Sequence, residues 1–214
     1  MQPRSDAERM YIVAKKHKDN MVWMDLEMTG LDPEKEGIIE IATIITDGEL
    51  NILAEGPNLA IHQSPRLLKG MDEWNQNQHS KSGLIEKVKA SQISDADAEK
   101  QTLEFIQEYC IEGKAPLCGN SIHHDRRFVI KYMPTLNAYL SYRNVDVTTI
   151  KVLVDRWYPK NKNKPHKKEN HRALDDIRES IEELKYYRKG YFKKLRPRPI
   201  EKIVEIEKKE KKDK

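Results

Sequence analysis

Three features are scarce in this 214-residue chain, and each scarcity excludes something. Cysteine occurs twice, as Cys110 and Cys118, at a spacing that suits no metal-ligand pattern. That argues against a zinc site or a disulfide scaffold and fits a reducing compartment. No apolar run approaches the ~18–20 residues needed to span a bilayer, and the N-terminal stretch lacks the apolar segment of a secretion signal. The expectation is a cytoplasmic protein with no membrane partner. A basic stripe is also missing. The formal net charge is +4, but Lys193 to Lys214 holds ten Lys/Arg against five Asp/Glu, which leaves the preceding residues with a net charge of −1. Proteins that track a long phosphate backbone carry such a stripe, so a nucleic-acid ligand of this chain is expected to be short.

What is present is organised around Met21-Val22-Trp23-Met24-Asp25-Leu26-Glu27-Met28-Thr29-Gly30-Leu31. The run is apolar, carries two acids, and breaks at a glycine. It reads as a buried strand over 21–27 that delivers Asp25 and Glu27, which share one face because side chains alternate along a strand. Two carboxylates side by side repel each other and lose hydration, a cost of several kcal/mol unless a cation lies between them. Taken alone, the pattern is better read as a strand edge with two solvated acids.

The rest of the chain reads as an α/β domain with a mixed sheet and no internal repeat. Residues 1–20 are a polar leader, poorly ordered or a short helix. The β-branched run Ile38 to Thr46 predicts a second strand. Asp47-Gly48 signals a hairpin into a third strand from Leu50 to Ile61, interrupted near Gly56-Pro57. Ser64-Pro65 caps a short segment, and Trp74 stands in a very polar run. Ser94-Asp95 opens a long helix that stops at Gly113, with Ala98, Thr102, Phe105, Ile106 and Tyr109 on one face. Ala115 to Cys118 is a short strand, after which a helix bearing Asp125 and Phe128 ends before Pro134. Val145 to Val147 is a further strand, followed by a helix from Thr148 to Trp157 capped by Thr148 or Asp146. A basic loop, Lys160 to Asn170, leads to a last helix from about Arg172 to Tyr187 with Ala173, Ile177, Ile181 and Leu184 inward. The tail from 196 to 214 cannot bury a core and reads as solvated helix or disorder.

Asp125, at a helix start after a strand, and His171 with Asp176, where a loop meets a helix, supply further acids and a base. Four carboxylates and a histidine in such settings meet a specific need. Phosphodiester hydrolysis requires an activated water and charge cancelled on the phosphorus and the leaving oxygen. Two Mg²⁺ or Mn²⁺ ions held by carboxylate oxygens supply these, and a histidine can take the proton from the attacking water.

The order Asp-x-Glu, Asp, His-x-x-x-x-Asp resembles the DEDDh 3′–5′ exonuclease family. The blocks Asp25 to Leu31, Cys118 to Ser121, Asp125 to Phe128, Lys131 to Pro134, Tyr142-Arg143 with Asp146-Val147, and His171 to Ser180 resemble its branch that acts on very short RNAs. The likeness covers about Met21 to Leu195, an exonuclease domain of 21–195 between leader and tail. It implies a ribonuclease-H-like fold, a mixed β-sheet flanked by helices. It also implies two divalent ions, Mg²⁺ or Mn²⁺, on Asp25, Glu27, Asp125 and Asp176, with His171 as general base. Asp175 is the rival of Asp176, and the family's spacing of four residues after the histidine favours Asp176. Partners by resemblance are short RNA oligonucleotides, dinucleotides above all, and a second copy in a homodimer whose Tyr142 reaches the partner's site. Leu31 and Trp74 match positions that sandwich a base, although Trp74 could also pack under a surface loop. Ser121, Arg143 and Thr148 match groups that close around a 5′-phosphate. His79 either contacts the substrate or is a polar surface histidine. Two other readings stand beside this one: a broader exonuclease trimming DNA or RNA 3′ ends, and a catalytically silent nucleic-acid-binding module.

Overall fold

The structure is a computed structural model that describes residues 16–158 and 173–193. His171, the basic loop, Arg172, most of the leader and the C-terminal tail lie outside the described residues. Five strands form one mixed sheet: β1 (Met21–Met28), β2 (Ile38–Thr46), β3 (Ile52–Ala60), β4 (Leu117–Gly119) and β5 (Asn144–Asp146). Their order is β3-β2-β1-β4-β5, with β1 to β3 an antiparallel meander and β4 and β5 running parallel to β1. The described helices are α1 (Pro65–Gly70), α2 (Glu73–Lys81), α3 (Leu84–Ala90), α4 (Asp95–Tyr109), α5 (His123–Tyr132), α6 (Pro134–Tyr139), α7 (Val147–Trp157) and α8 (Ala173–Tyr191). None of them is long and apolar enough to cross a membrane.

The period-two alternation of β1 divides the core. Val22, Met24 and Leu26 join one buried cluster with Ala98 and Ile106 of α4 and Phe128 and Val129 of α5. Trp23 faces the opposite cluster, built from Ala42, Ile44, Val154 of α7, and Ala173, Ile177 and Ile181 of α8. The Trp23 indole N–H donates to Thr46 Oγ1 at 2.9 Å, so its burial strands no donor. Asp25 and Glu27 continue the Trp23 face towards the strand end, the side on which α8 lies. The alternation that buries the tryptophan thus also aims both acids at the helix carrying Asp176.

Local chemistry sets the element ends. Ser64 caps α1, and Ser94 with Asp97 forms a capping box on α4. Asp146, rather than Thr148, caps α7, accepting from the Thr148 N–H, so the helix starts at Val147 and β5 ends one residue before it. Leu50 has a left-handed φ of 69° in the hairpin turn, which delays β3 to Ile52, and the register of β2 with β3 shifts opposite Gly56-Pro57. Helix α4 ends at Tyr109, before Gly113, and α8 runs beyond Tyr187 to Tyr191. The strand expected over Ala115 to Cys118 is Leu117–Gly119. At the body's N-terminal edge, His17 bridges to Cys110 and the buried Asn20 donates to the Tyr109 carbonyl at 2.7 Å. Cys110 and Cys118 are free and buried, and burial pushes the Cys110 thiol up to about 12.

Gly119 ends β4 close against the backbone of β1. A Cβ there would sit 3.0 Å from the Met24 carbonyl oxygen and 2.9 Å from Ile122 Cδ1. Backbone cannot yield as a flexible side chain can, so Gly119→Ala is expected to destabilise the fold by ~1–3 kcal/mol. Urea unfolding checks this, and an unchanged midpoint would contradict the close approach.

Candidate active site

Asp25 and Glu27 from β1 and Asp176 from the first turn of α8 each offer a carboxylate oxygen within 4.8 Å of the others. Asp25 pairs across the sheet with Ala42, and Glu27 with Glu40, itself buried. Glu27 therefore faces acids on three sides. Burial first, then the charges of Glu40, Asp176 and Asp125, push its carboxyl up from 4.5 to about 8. Asp125 enters from α5. Its Oδ1 accepts the Leu26 N–H at 2.9 Å, a backbone donor beyond the reach of the short strand β4. Burial raises the Asp125 carboxyl from 3.8 to about 7 against that hydrogen bond. Asp125 stands apart from the tight trio, but the Leu26 bond locks it beside Glu27.

Asp175 and Asp176 are separated by the turn of the helix. Asp175 Oδ1 pairs with Arg178 Nη1 at 2.8 Å, and the same guanidinium grips Glu55 of β3, with Nη2 to Oε2 at 2.8 Å. One neighbour is spent on the sheet edge while the other joins the acids. These exposed pairs add little stability, but they fix which carboxylate faces inward.

His79 is not a surface histidine. Only 3% of it is exposed, its Nε2 lies 3.1 Å from the Met28 carbonyl, and its Nδ1 lies 3.9 Å from Glu27 Oε2. With Nε2–H donating to that carbonyl, Nδ1 is the face turned to Glu27. Trp74, on the first turn of the same helix α2, is 66% exposed, which removes the alternative that it packs under a loop. Leu31 is also exposed, on the loop after β1. That loop is tied to α5, where Lys131 Nζ donates to the Pro33 carbonyl at 2.6 Å and the Tyr132 hydroxyl to the Glu36 carbonyl at 2.5 Å.

Ser121 and Thr148 are brought together at the ends of β4 and β5. The Ser121 N–H donates to Thr148 Oγ1 and to Asp146 Oδ1, both at 2.9 Å, and the two hydroxyls lie 3.2 Å apart. Tyr142 and Arg143 are exposed in the segment between α6 and β5, the guanidinium 5.0 Å from the tyrosine ring centroid. His124, for which solvation is the simplest sequence reading, is half-buried, and its Nδ1 has no hydrogen-bond partner among the described residues. Sequence reading missed Glu40 as the acid opposite Glu27, and Asp146 as the acceptor for Ser121. A single acid inside the β-branched run Ile38-Ile39-Glu40-Ile41 was the available signal for the first.

Clustered oxygens of this kind fit a hard divalent cation, which would offset both the burial and the repulsion that raise Glu27. The fold and this site define a class, the nucleases that hold metal on acids at the end of a central strand. The RNase_T exonuclease family model matches residues 22–184. Exonuclease I of Escherichia coli, solved in complex with a 5cy-dT13 oligonucleotide, superposes with a TM-score of 0.63 at 15% identity, over 82% of this chain and 42% of that one. The chain thus spans about two fifths of that neighbour, and the likeness shows the ribonuclease-H-like exonuclease fold. The oligoribonucleases of Ectopseudomonas mendocina and Alcanivorax borkumensis are 56% and 58% identical over 82% of this chain and 97% of theirs. This chain belongs to the oligoribonuclease family.

Raised carboxyls have a sign. The folded protein holds protons on Glu27 and Asp125 that the unfolded chain releases, so without metal their contribution favours folding at low pH. It is lost as pH climbs from 4.5 towards 8 for Glu27 and from 3.8 towards 7 for Asp125. In EDTA the melting temperature is expected to fall through that window, and Mn²⁺ at its alkaline end should restore several degrees, at ~2–4 °C per kcal/mol. A flat profile that Mn²⁺ leaves unmoved would contradict the repulsion.

Proposed function

We propose that this protein is a 3′–5′ exoribonuclease that degrades very short oligoribonucleotides, dinucleotides above all, to 5′-mononucleotides. The observation that carries the reading is the convergence of Asp25, Glu27 and Asp176 on one point, with Asp125 locked beside them. Sequence identity above one half to oligoribonucleases, over nearly their whole length, favours this substrate class over general trimming of DNA or RNA 3′ ends. A silent binding module gains nothing from clustered negative charge beside a phosphate.

In this reading Asp25, Glu27, Asp125 and Asp176 hold two divalent ions, Mg²⁺ or Mn²⁺. When bound, these lower the pKa of the attacking water and cancel charge on the phosphate and the leaving oxygen. The chain's own residues do the rest. The Leu26 N–H fixes the Asp125 carboxylate, and His79, held by the Met28 carbonyl, braces Glu27. His171 is assigned as the general base on the family's spacing alone. Leu31 and Trp74 flank a base, where stacking contributes about 1–3 kcal/mol. Ser121, Thr148 and Arg143 receive the 5′-phosphate, to which an arginine can donate two parallel hydrogen bonds. Tyr142, exposed on one copy, serves the site of the other in a homodimer. A pocket closed at the 5′ end excludes long chains, in keeping with the near-neutral body. The enzyme acts in the cytoplasm.

The test compares product release from a labelled dinucleotide and a twenty-mer, with and without EDTA. The dinucleotide is expected to be turned over far faster, EDTA to stop release, and Asp176→Asn to abolish it while Asp175→Asn keeps most. Equal rates on both substrates would favour the broader exonuclease. Loss in Asp175→Asn but not Asp176→Asn would overturn the ligand assignment.

A further inference from the structure

A chain of half-buried hydrogen bonds joins the backbone of Asp176 to the loop of Ser121, and its polarity can be read link by link. The Ser180 hydroxyl donates its one proton to the Asp176 carbonyl at 2.8 Å, one helical turn back. Ser180 Oγ can therefore only accept from its other neighbour, and Asn120 Nδ2 lies 2.7 Å away. The second Nδ2 proton goes to Glu183 Oε2 at 3.3 Å. Glu183 is itself 6% exposed, with the Tyr187 hydroxyl donating to Oε1 at 3.0 Å and Lys151 Nζ at 3.8 Å. Both amide protons of Asn120 thus point at α8, and its Oδ1 must face the other way. There it accepts from Thr148 Oγ1 at 3.2 Å, and Thr148 Oγ1 in turn accepts the Ser121 N–H at 2.9 Å.

The relay has consequences at both ends. Because the Thr148 proton is committed to Asn120, the hydrogen bond between the two hydroxyls has Ser121 as its donor. The Ser121 backbone, held at a left-handed φ of 51° that a serine rarely adopts, stays there because its N–H has two acceptors, Thr148 and Asp146. At the other end, the first turn of α8 is fixed through the carbonyl of the very residue whose carboxylate joins Asp25 and Glu27. Asn120 is the one side chain in this relay that bonds to both sides.

We propose that Asn120 is a positioning residue that couples the placement of Asp176 to the Ser121–Thr148 hydroxyl pair, so that metal affinity and recognition of the substrate's 5′-phosphate depend on one amide. Glu183 and Ser180 are its supports, selecting which way the amide faces. The coupling rests on the reading above in two respects, that Asp176 holds metal and that Ser121 and Thr148 face the 5′-phosphate.

Two quantities test it on the full chain: the Mn²⁺ midpoint for thermal stabilisation, and the ratio of kcat/KM for a 5′-phosphorylated over a 5′-hydroxyl dinucleotide. Asn120→Ala is expected to raise the midpoint and lower the ratio together, each by roughly three- to tenfold, the scale of one lost internal hydrogen bond. Ser180→Ala should raise the midpoint in the same direction and Ser180→Thr, which keeps the hydroxyl, should restore it. This pair reads the relay even where Asn120→Ala fails to fold. A folded Asn120→Ala that keeps both quantities, or moves only one, overturns the coupling. So does a Ser180→Ala indistinguishable from wild type. A wild-type protein that cleaves dinucleotides without regard to the 5′-phosphate overturns the Ser121–Thr148 assignment and the coupling with it. A wild-type protein that releases no mononucleotide overturns the proposed function itself.

Discussion

The crowding of partly desolvated carboxylates at one strand end is the constraint on which the rest of the molecule turns. β1 places Asp25 and Glu27 on one face, β2 sets Glu40 opposite Glu27, and α8 adds Asp176. The result is a site that holds protons when no cation is present, as the raised carboxyls of Glu27 and Asp125 indicate. Such an arrangement destabilises the fold unless something compensates, and the cation that would compensate is also the one that phosphodiester chemistry needs.

Holding the acids together against their repulsion falls to the surrounding framework. Trp23, one step along the same strand face, is packed against α8, which sets the height of its first turn. Arg178 ties that turn to Glu55 and draws Asp175 aside. The Ser180–Asn120–Thr148 relay fixes the same turn from the other side and joins it to the loops at the ends of β4 and β5. Asp125 is held by a backbone donor that exists only because β4 stops short of Leu26. Apolar packing supplies the cohesion, and polar bonds of known direction supply the aim.

Much of this was legible in the sequence because it follows local rules. The β-branched run from Ile38 to Thr46 is β2 residue for residue, and the alternation around Asp25 and Glu27 foretold their shared face. The stripe of Ala173, Ile177 and Ile181 foretold the inward side of α8. Other parts had no local signature. Helix α2 is polar almost throughout, so no apolar period announces it, and the burial of His79 depends on a carbonyl 51 residues away. Helix α6 starts at Pro134, a residue that reads as the end of the preceding helix. Glu40 matters through the register of β2 on β1, and Asn120 through partners on α7 and α8 far along the chain. Cross-strand register and long-range hydrogen bonding are properties of the fold, which residue spacing alone does not carry.

The central claim is that protons on the clustered acids stand where divalent cations belong. Calorimetric titration of Mn²⁺ near neutral pH, repeated in buffers of different ionisation enthalpy, counts the protons displaced on binding. With Glu27 held up at about 8 and Asp125 at about 7, net proton release of the order of one per site is predicted, together with its loss in Asp176→Asn if that variant no longer binds the ion. Tight Mn²⁺ binding with no proton release, or no binding by the wild-type protein at all, would contradict the account.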